Sequence, residues 1–265
     1  MPILETRELT RQFGTLVAVN RLTMSVEQGE IFGLLGPNGA GKSTAIKMMT
    51  TLLPPTSGDA QIAGYSVTRH AGQVRRLIGY VPQMVSADGT LSGYENLLIF
   101  AKLYDVPRRE REKRVRDALA FMGLADAADQ LVRTYSGGMI RRLEIAQSML
   151  HRPAVLFLDE PTVGLDPAAR RLVWEHVQQL RADYGMTIFL TTHLMEEADA
   201  LCDHVAIMHL GNVAAMGTPA ALKASLAKEG ATLDDVFIHY SGSALESGGT
   251  YRDAARARRT ARRLG

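Results

Sequence analysis

The amino-acid sequence predicts an α/β fold with a mostly parallel β-sheet, an N-terminal antiparallel β subdomain and an inserted α-helical lobe. From Glu30 onward, short apolar segments alternate with helical ones, which is the pattern of a mostly parallel sheet. Between residues 22 and 26, apolar and polar side chains alternate ahead of a turn, as in a half-buried antiparallel strand. Between residues 91 and 150 the pattern is helical, which indicates a lobe inserted into the α/β core.

The individual strands and helices follow from the spacing of apolar residues. In the lobe, one helical face carries Val115, Ala118, Leu119 and Met122, and the charged run at residues 108–114 is expected to face solvent. In chain order we predict strands at 30–35, 77–81, 154–159, 187–191 and 205–208, and helices at 42–51 and 167–184.

Length and composition set the class of protein. A chain of 265 residues with 46% hydrophobic and 22% charged residues can bury a core, so disorder of the whole chain is excluded. The single cysteine, Cys202, cannot form an internal disulfide, which fits a reducing compartment and excludes a cysteine-based metal site. The charged opening and the short apolar runs predict neither a signal peptide nor a transmembrane helix.

The charge of the chain is unevenly distributed. Residues 241–265 carry six arginines against two acidic residues, whereas the rest carries 24 basic and 26 acidic residues. The body is therefore not expected to bind nucleic acid. We predict that residues 241–265 form a Gly/Ser linker and an arginine-rich, flexible tail; a basic helix against anionic lipid heads or a partner, with Arg252, Arg256, Arg259 and Arg263 on one face, is the alternative.

A phosphate-binding loop is predicted where the first apolar strand meets a helix. Residues 36–43 match the pattern GxxxxGK[ST], in which glycines turn backbone N–H groups toward the phosphates. The lysine bridges the β- and γ-phosphates and the serine hydroxyl binds Mg²⁺. The predicted nucleotide-binding residues of this segment are Gly36, Pro37, Asn38, Gly39, Ala40, Gly41, Lys42, Ser43 and Thr44.

Two carboxylates follow the apolar strand at residues 154–159. They lie at the carboxyl end of a buried strand, where open parallel sheets bind their ligands. Asp159 is expected to hold Mg²⁺, through water, and Glu160 to act as the general base that takes a proton from the attacking water. A solvated strand end is the alternative for such a pair in isolation.

A further motif, Tyr135-Ser136-Gly137-Gly138-Met139, lies between the loop and the carboxylates and leads into a segment with Arg141 and Arg142. A Ser-Gly-Gly turn before a helix offers a hydroxyl and unhindered N–H groups at a positive helix end. The motif resembles the signature of ATP-binding cassette (ABC) proteins. The resemblance covers nearly the whole body and implies an ABC ATPase domain at residues 1–240, with the helical lobe at about 88–150, working as a head-to-tail dimer with itself or a paralogue.

The resemblance also implies roles for residues that the spacing alone does not single out. Phe13 matches the aromatic residue that stacks on adenine, with Val19 nearby, and Asp166 matches the D-loop. Gln83 matches the Q-loop glutamine that touches Mg²⁺ and responds to the membrane partner, and His193 matches the switch histidine that contacts the γ-phosphate. These residues join Ser136, Gly137 and Gly138 as expected ATP- and Mg²⁺-binding or catalytic positions.

Tyr135 and Met139, together with the segment 232–242, resemble the daunorubicin- and doxorubicin-resistance branch of bacterial drug exporters. That branch implies an ATP-hydrolysing subunit that powers export through a separate polytopic permease, on the cytoplasmic face of the cell membrane. An importer ATPase and a soluble ABC ATPase acting on DNA or ribosomes are the alternatives. The second is disfavoured, since the chain has no long insertion and no second cassette.

Overall fold

The computed structural model describes residues 2–245, which form two β-sheets and nine α-helices. The strands are β1 (Pro2–Phe13), β2 (Leu16–Glu27), β3 (Ile31–Leu35), β4 (Ser57–Ile62), β5 (Tyr65–Ser66), β6 (Ile78–Val81), β7 (Val155–Asp159), β8 (Thr187–Thr192), β9 (His204–His209) and β10 (Asn212–Gly217). The helices are α1 (Lys42–Met49), α2 (Ala71–Leu77), α3 (Gly93–Leu103), α4 (Arg108–Phe121), α5 (Gly137–Met149), α6 (Pro167–Tyr184), α7 (Met195–Leu201), α8 (Pro219–Ala224) and α9 (Leu233–Leu245).

The larger sheet has six strands in the order β10-β9-β3-β8-β7-β6. Only β10 runs antiparallel to its neighbour, so the predicted mostly parallel sheet is confirmed. Its central strands are buried along their whole length, because helices cover one face and α1 together with the smaller sheet covers the other. Phe189 packs between two other aromatic rings, with centroids 5.6 Å from Phe32 and 5.5 Å from Phe157.

The smaller sheet is antiparallel, with the order β2-β1-β4-β5, and confirms the predicted N-terminal β subdomain. The alternation in β2 was the sequence signal for it; β1, β4 and β5 were not predicted. In β1 the pairing register shifts between Thr6 and Leu9, and Glu8 has a φ of 49°. Because a bulge changes which side chains face the core, it removes the strict alternation that marks a strand in sequence.

The lobe between β6 and β7 consists of α3, α4 and α5 with short 3₁₀ turns. Ser92 begins α3 with a capping box, in which its hydroxyl accepts from Glu95 N while Glu95 accepts from Ser92 N. The apolar face predicted for α4 is buried, and its charged residues lie mostly toward solvent. This lobe carries the Ser-Gly-Gly motif at the start of α5.

The carboxyl-terminal part of the described chain corrects one prediction. The helix α9 continues to Leu245, so residues 241–245 are helical although a linker was expected to begin at Ser241. Ser241 is buried and donates to the Phe237 carbonyl at 2.6 Å, as serine does within a helix. The arginine-rich tail lies outside the described residues. Within residues 2–245, no helix combines the length and apolar character that crossing a membrane requires.

Candidate functional site

The register of the parallel sheet brings the phosphate-binding loop and the acidic pair to one edge. Leu35, which precedes the phosphate-binding loop, lies opposite Thr192 of β8, and Asp159 lies opposite Thr191. Because these strands are parallel, their carboxyl ends meet at the same side of the sheet. The loop between β3 and α1 and the acidic pair after β7 are therefore neighbours in space.

The glycines of the phosphate-binding loop have a steric reason. Gly36 and Gly41 have φ values of 156° and 110°. A Cβ atom at Gly36 would lie 2.3 Å from the Met208 carbonyl oxygen, and one at Gly41 would lie 2.3 Å from that of Ala18. The loop therefore fits closely against β2 and β9, and only glycine is compatible with these two positions.

Lys42 is buried beneath this loop and forms an ion pair with Glu160. The distance from Lys42 Nζ to Glu160 Oε1 is 3.1 Å, and each side chain is 4% exposed. The ammonium also donates to the carbonyl oxygens of Gly36 at 2.7 Å and Pro37 at 3.2 Å. All three contacts are to oxygen, so this ammonium occupies a position that suits phosphate oxygens equally well.

Asp159 joins the loop to the neighbouring strand. Its Oδ1 accepts from Ser43 Oγ at 3.1 Å and from Thr191 Oγ1 at 2.6 Å. A hydroxyl and a carboxylate are the hard oxygen ligands that Mg²⁺ prefers. Ser43 and Asp159 therefore suit the metal that accompanies a nucleotide. Thr191 was not predicted as a site residue, although it precedes His193 by two positions; in sequence it is one more β-branched residue of a buried strand.

The second oxygen of Glu160 contacts two further predicted residues. Oε2 lies 3.1 Å from His193 Nδ1 and accepts from Gln83 Nε2 at 3.4 Å. The Glu160 backbone has a φ of 50° and its N–H donates to both oxygens of Thr191 at 3.1 Å. A left-handed backbone at a non-glycine residue is unfavourable by about 1–3 kcal/mol. His193, Gln83 and Lys42 thus hold the carboxylate at the centre of the cluster, and Thr191 holds its backbone.

The signature residues form a separate surface. Ser136 and Gly137 are exposed, and the Ser136 hydroxyl caps α5 by accepting from Met139 N at 3.3 Å. A Cβ at Gly138 would lie 2.8 Å from the Ala169 Cβ, so the starts of α5 and α6 pack closely. Among the described residues, no hydrogen bond joins this motif to Lys42, Ser43 or Glu160.

Asp166 caps the neighbouring helix α6, since its Oδ1 accepts from Ala168 N at 3.0 Å and Ala169 N at 2.9 Å. It therefore lies next to the signature rather than in the Glu160 cluster.

Phe13 lies at the end of β1 and is 44% exposed, with the Arg11 guanidinium 4.5 Å from its ring centroid. Its open ring leaves a face available to an adenine base. Val19, in contrast, is fully buried in the core beside Gly41. Of the two residues named for the base, only Phe13 presents a surface.

A parallel sheet with a glycine loop, a buried lysine, and a hydroxyl and carboxylate suited to a metal defines a P-loop nucleotide-binding protein. The comparisons with known proteins give the family. Residues 19–163 match the family model described as "ABC transporter". The chain belongs to the ABC transporter family, in which it is an ATP-binding, ATP-hydrolysing subunit.

Three similar proteins have names that concern resistance or export. The daunorubicin/doxorubicin resistance ATP-binding protein of Streptomyces peucetius is 45% identical over 84% of this chain and 67% of its own length. The linearmycin resistance ATP-binding protein of Bacillus subtilis (strain 168) is 40% identical over 82% of this chain and 69% of its own. The Nod factor export ATP-binding protein I of Ralstonia nicotianae is 44% identical over 82% of this chain and 68% of its own.

A comparison of structures gives the same family. A solved structure titled as the ATP-binding subunit of an ABC transporter superposes with a TM-score of 0.80 at 31% identity, covering 90% of this chain and 99% of that one. Thus the predicted fold class, the family and its relation to drug-resistance ATPases are confirmed.

Proposed function

We propose that this chain is the ATPase subunit of an exporter of drugs, antibiotics or other hydrophobic compounds, acting on a separate membrane subunit at the cytoplasmic face of the membrane. Its likeness to relatives named for drug resistance and export carries the proposal. The geometry supports an ATP-driven motor, because a candidate base, a phosphate-binding lysine and a metal-compatible pair lie in one buried cluster.

ATP binding requires Lys42 to exchange one partner for another. In the structure its ammonium is paired with Glu160. When phosphate oxygens take this ammonium, Glu160 loses its counter-ion and its Oε1 becomes available to accept a proton from water. The same residue thus binds the substrate and releases the base.

Ser43, Asp159 and Gln83 are the residues that would hold Mg²⁺. When bound, the ion neutralises charge on the phosphate oxygens. Thr191 keeps Asp159 in place through its hydroxyl.

His193 holds Glu160 through Nδ1. Because a carboxylate only accepts hydrogen bonds, Nδ1 carries the proton, and in a neutral ring Nε2 is then an acceptor. A turn of the ring that carries this N–H toward a γ-phosphate would take it from Glu160. The histidine would in this way connect the phosphate to the base.

A second chain completes the site in this proposal. The exposed Ser136 and Gly137 offer a hydroxyl and the N-terminal N–H groups of α5, which suit the phosphates of a nucleotide bound to another chain. Two chains, or one chain and a paralogue, would then sandwich two ATP molecules and close as a head-to-tail dimer. Asp166 and the ring of Phe13 complete the expected nucleotide contacts.

The membrane subunit is proposed to dock in the groove between the α/β core and the helical lobe, near residues 83–96. Met84 and Val85 follow Gln83 and are 82% and 61% exposed, an unusual amount of apolar surface on one loop. A partner that covers them would also act on Gln83, which contacts Glu160.

The test is purification of tagged Glu160→Gln protein from detergent-solubilised membranes of its native host with ATP present. This substitution retains the shape of the site and should stop turnover, so that the closed dimer accumulates. A stoichiometric polytopic protein identified by mass spectrometry is the expected result. A Lys42→Ala/Glu160→Gln chain, which should not retain ATP, serves as the control for ATP-dependent capture.

Two other results are informative. Recovery of ribosomal or DNA-associated proteins alone would contradict the transport function while leaving the ATPase assignment intact. Brisk ATP hydrolysis by Glu160→Gln protein would refute the role of Glu160 as the base.

A further inference from the structure

Arg141, on the helix that follows the signature, reaches out of the lobe to the loop that carries Gln83. Its guanidinium donates to the Pro82 carbonyl at 2.8 Å and to the Gln83 carbonyl at 3.0 Å. The two acceptors are consecutive backbone oxygens, and the planar fork of arginine meets both of them at once. One side chain of α5 thus fixes the backbone of Gln83.

Glu144, three residues later on α5, holds the same loop further along. Its Oε1 accepts from the N–H of Ser86 at 2.5 Å and from the Ser86 hydroxyl at 3.0 Å. Its Oε2 lies 3.1 Å from Arg141 Nη1, so the two side chains form an ion pair. Arg141 and Glu144 together fasten the loop from residue 82 to residue 86 to one turn of α5.

The ion pair is almost completely buried, whereas the loop it holds is not. Arg141 and Glu144 are 6% and 2% exposed, while the side chains at positions 83–86 are exposed. Burial also lowers the pKa of the Arg141 guanidinium. Desolvation of two charges offsets much of their attraction, so a buried ion pair adds little to the free energy of unfolding. Its hydrogen bonds to the loop are better explained by positioning.

We propose that Arg141 and Glu144 are positioning residues that transmit the orientation of α5, and hence of Ser136 and Gly137, to Gln83. The inference rests on the proposed function. If a second chain's nucleotide engages the start of α5, a rotation of that helix moves the backbone of Gln83, whose side chain contacts Glu160. The pair therefore couples the signature surface to the candidate base within one chain, and it also lies directly behind the loop proposed to meet the membrane subunit.

The neighbouring arginine provides a matched control. Arg142 is on the same helix, burial lowers its pKa as well, and it donates to the Met122 carbonyl at 2.7 Å. Met122 ends α4, so this contact joins two helices inside the lobe. Arg142 therefore resembles Arg141 in chemistry, although it is half-buried rather than buried, and it does not touch the loop at residues 82–86.

The experiment compares Arg141→Lys with Arg142→Lys in the full chain. Lysine retains the charge but cannot donate to both carbonyls in the fixed geometry of a guanidinium. For Arg141→Lys we expect kcat for ATP to fall about tenfold with KM unchanged, since the substrate contacts remain while Gln83 is misplaced. Arg142→Lys should retain wild-type kcat. Glu144→Gln, which keeps an oxygen acceptor for Ser86, should lower kcat in the same direction and by less.

A second measurement reports on the loop itself. A spin label on Met84→Cys reads the mobility of the loop, and Cys202 should not react because it is buried and burial raises its thiol pKa. We expect the label to become more mobile in Arg141→Lys and to remain unchanged in Arg142→Lys.

Equal effects of the two lysine substitutions, or wild-type kcat and label mobility in Arg141→Lys, would overturn the inference. Recovery of ribosomal or DNA-associated proteins alone in the membrane purification would instead refute the proposed function, and label mobility would still decide whether Arg141 holds the loop. Should Arg141→Lys not fold, Glu144→Gln decides by the same two measurements.

Discussion

The ion pair between Lys42 and Glu160 predicts that removing the acid tightens nucleotide binding. The buried ammonium of Lys42 is paired with the Glu160 carboxylate, so a phosphate that binds this ammonium has to displace a carboxylate. Glu160→Gln removes this competitor and also removes a negative charge that would face the phosphates. Nucleotide should therefore bind more tightly to the variant than to the wild-type chain.

The magnitude follows from the geometry. At 3.1 Å and an effective dielectric constant of about 20, the attraction is about 5 kcal/mol, which is an upper limit. When a phosphate displaces Glu160, Lys42 keeps its two carbonyl acceptors and Glu160 keeps His193 and Gln83. These contacts recover a large part of the lost attraction. A net difference of about 1.4–2.8 kcal/mol corresponds to a tenfold to hundredfold lower Kd.

ADP with Mg²⁺ is the appropriate ligand for isothermal titration calorimetry, because neither chain can hydrolyse it. The ligand-free variant should also melt below the wild-type chain, since it buries an ammonium without its counter-ion. Glu30→Gln is the matched control. Glu30 is another buried acid, and its Oε1 lies 2.6 Å from Nδ1 of His204. This pair does not belong to the phosphate-binding loop. An unchanged or weaker ADP affinity in Glu160→Gln would refute the competition between carboxylate and phosphate.

Three further predictions follow from single residues. Lys42→Ala should weaken ADP binding more than tenfold in the same titration, since it removes the buried ammonium. An unchanged affinity would refute the role of Lys42 in phosphate binding. Gly41→Ala should abolish ADP binding and destabilise the chain by about 1–3 kcal/mol in urea unfolding, because the new Cβ meets the Ala18 carbonyl at 2.3 Å with a φ of 110°. Burial lowers the pKa of His151 below its usual 6.5, and its Nε2 already contacts the Ile78 carbonyl. As the pH falls below 6.5, the unfolded chain therefore binds the proton before the folded chain does, and the wild-type free energy of unfolding decreases. His151→Gln should lose this part of the pH dependence of Tm. The same pH profile in the variant and the wild type would contradict the argument.

Local sequence determined the elements that depend on neighbouring residues. The phosphate-binding loop and the acidic strand end could be predicted because glycine, lysine and carboxylate positions lie close together along the chain. The helix at residues 167–184 was predicted with its observed bounds, since proline and a capping aspartate begin it and Gly185 ends it. Gln83 and His193 were named only through a family resemblance. A single glutamine or histidine after a strand belongs to no sequence pattern that indicates a function.

Other features required the tertiary structure. The bulged strand β1 was missed because its irregular register hides the alternation. The predicted start of the linker at Ser241 was wrong because small polar residues also occur in helices. The Lys42–Glu160 pair and the fastening of the Gln83 loop by Arg141 and Glu144 join residues that are distant in sequence.

The sequence by itself thus determined the fold class, the family, the phosphate-binding loop and the acidic pair, because each rests on patterns that are local in the chain. The partner of each group depends on strand register and on the packing of α5 against the core. Only the folded chain decides these, since burial gives a charge its energetic significance and burial is a property of the whole structure.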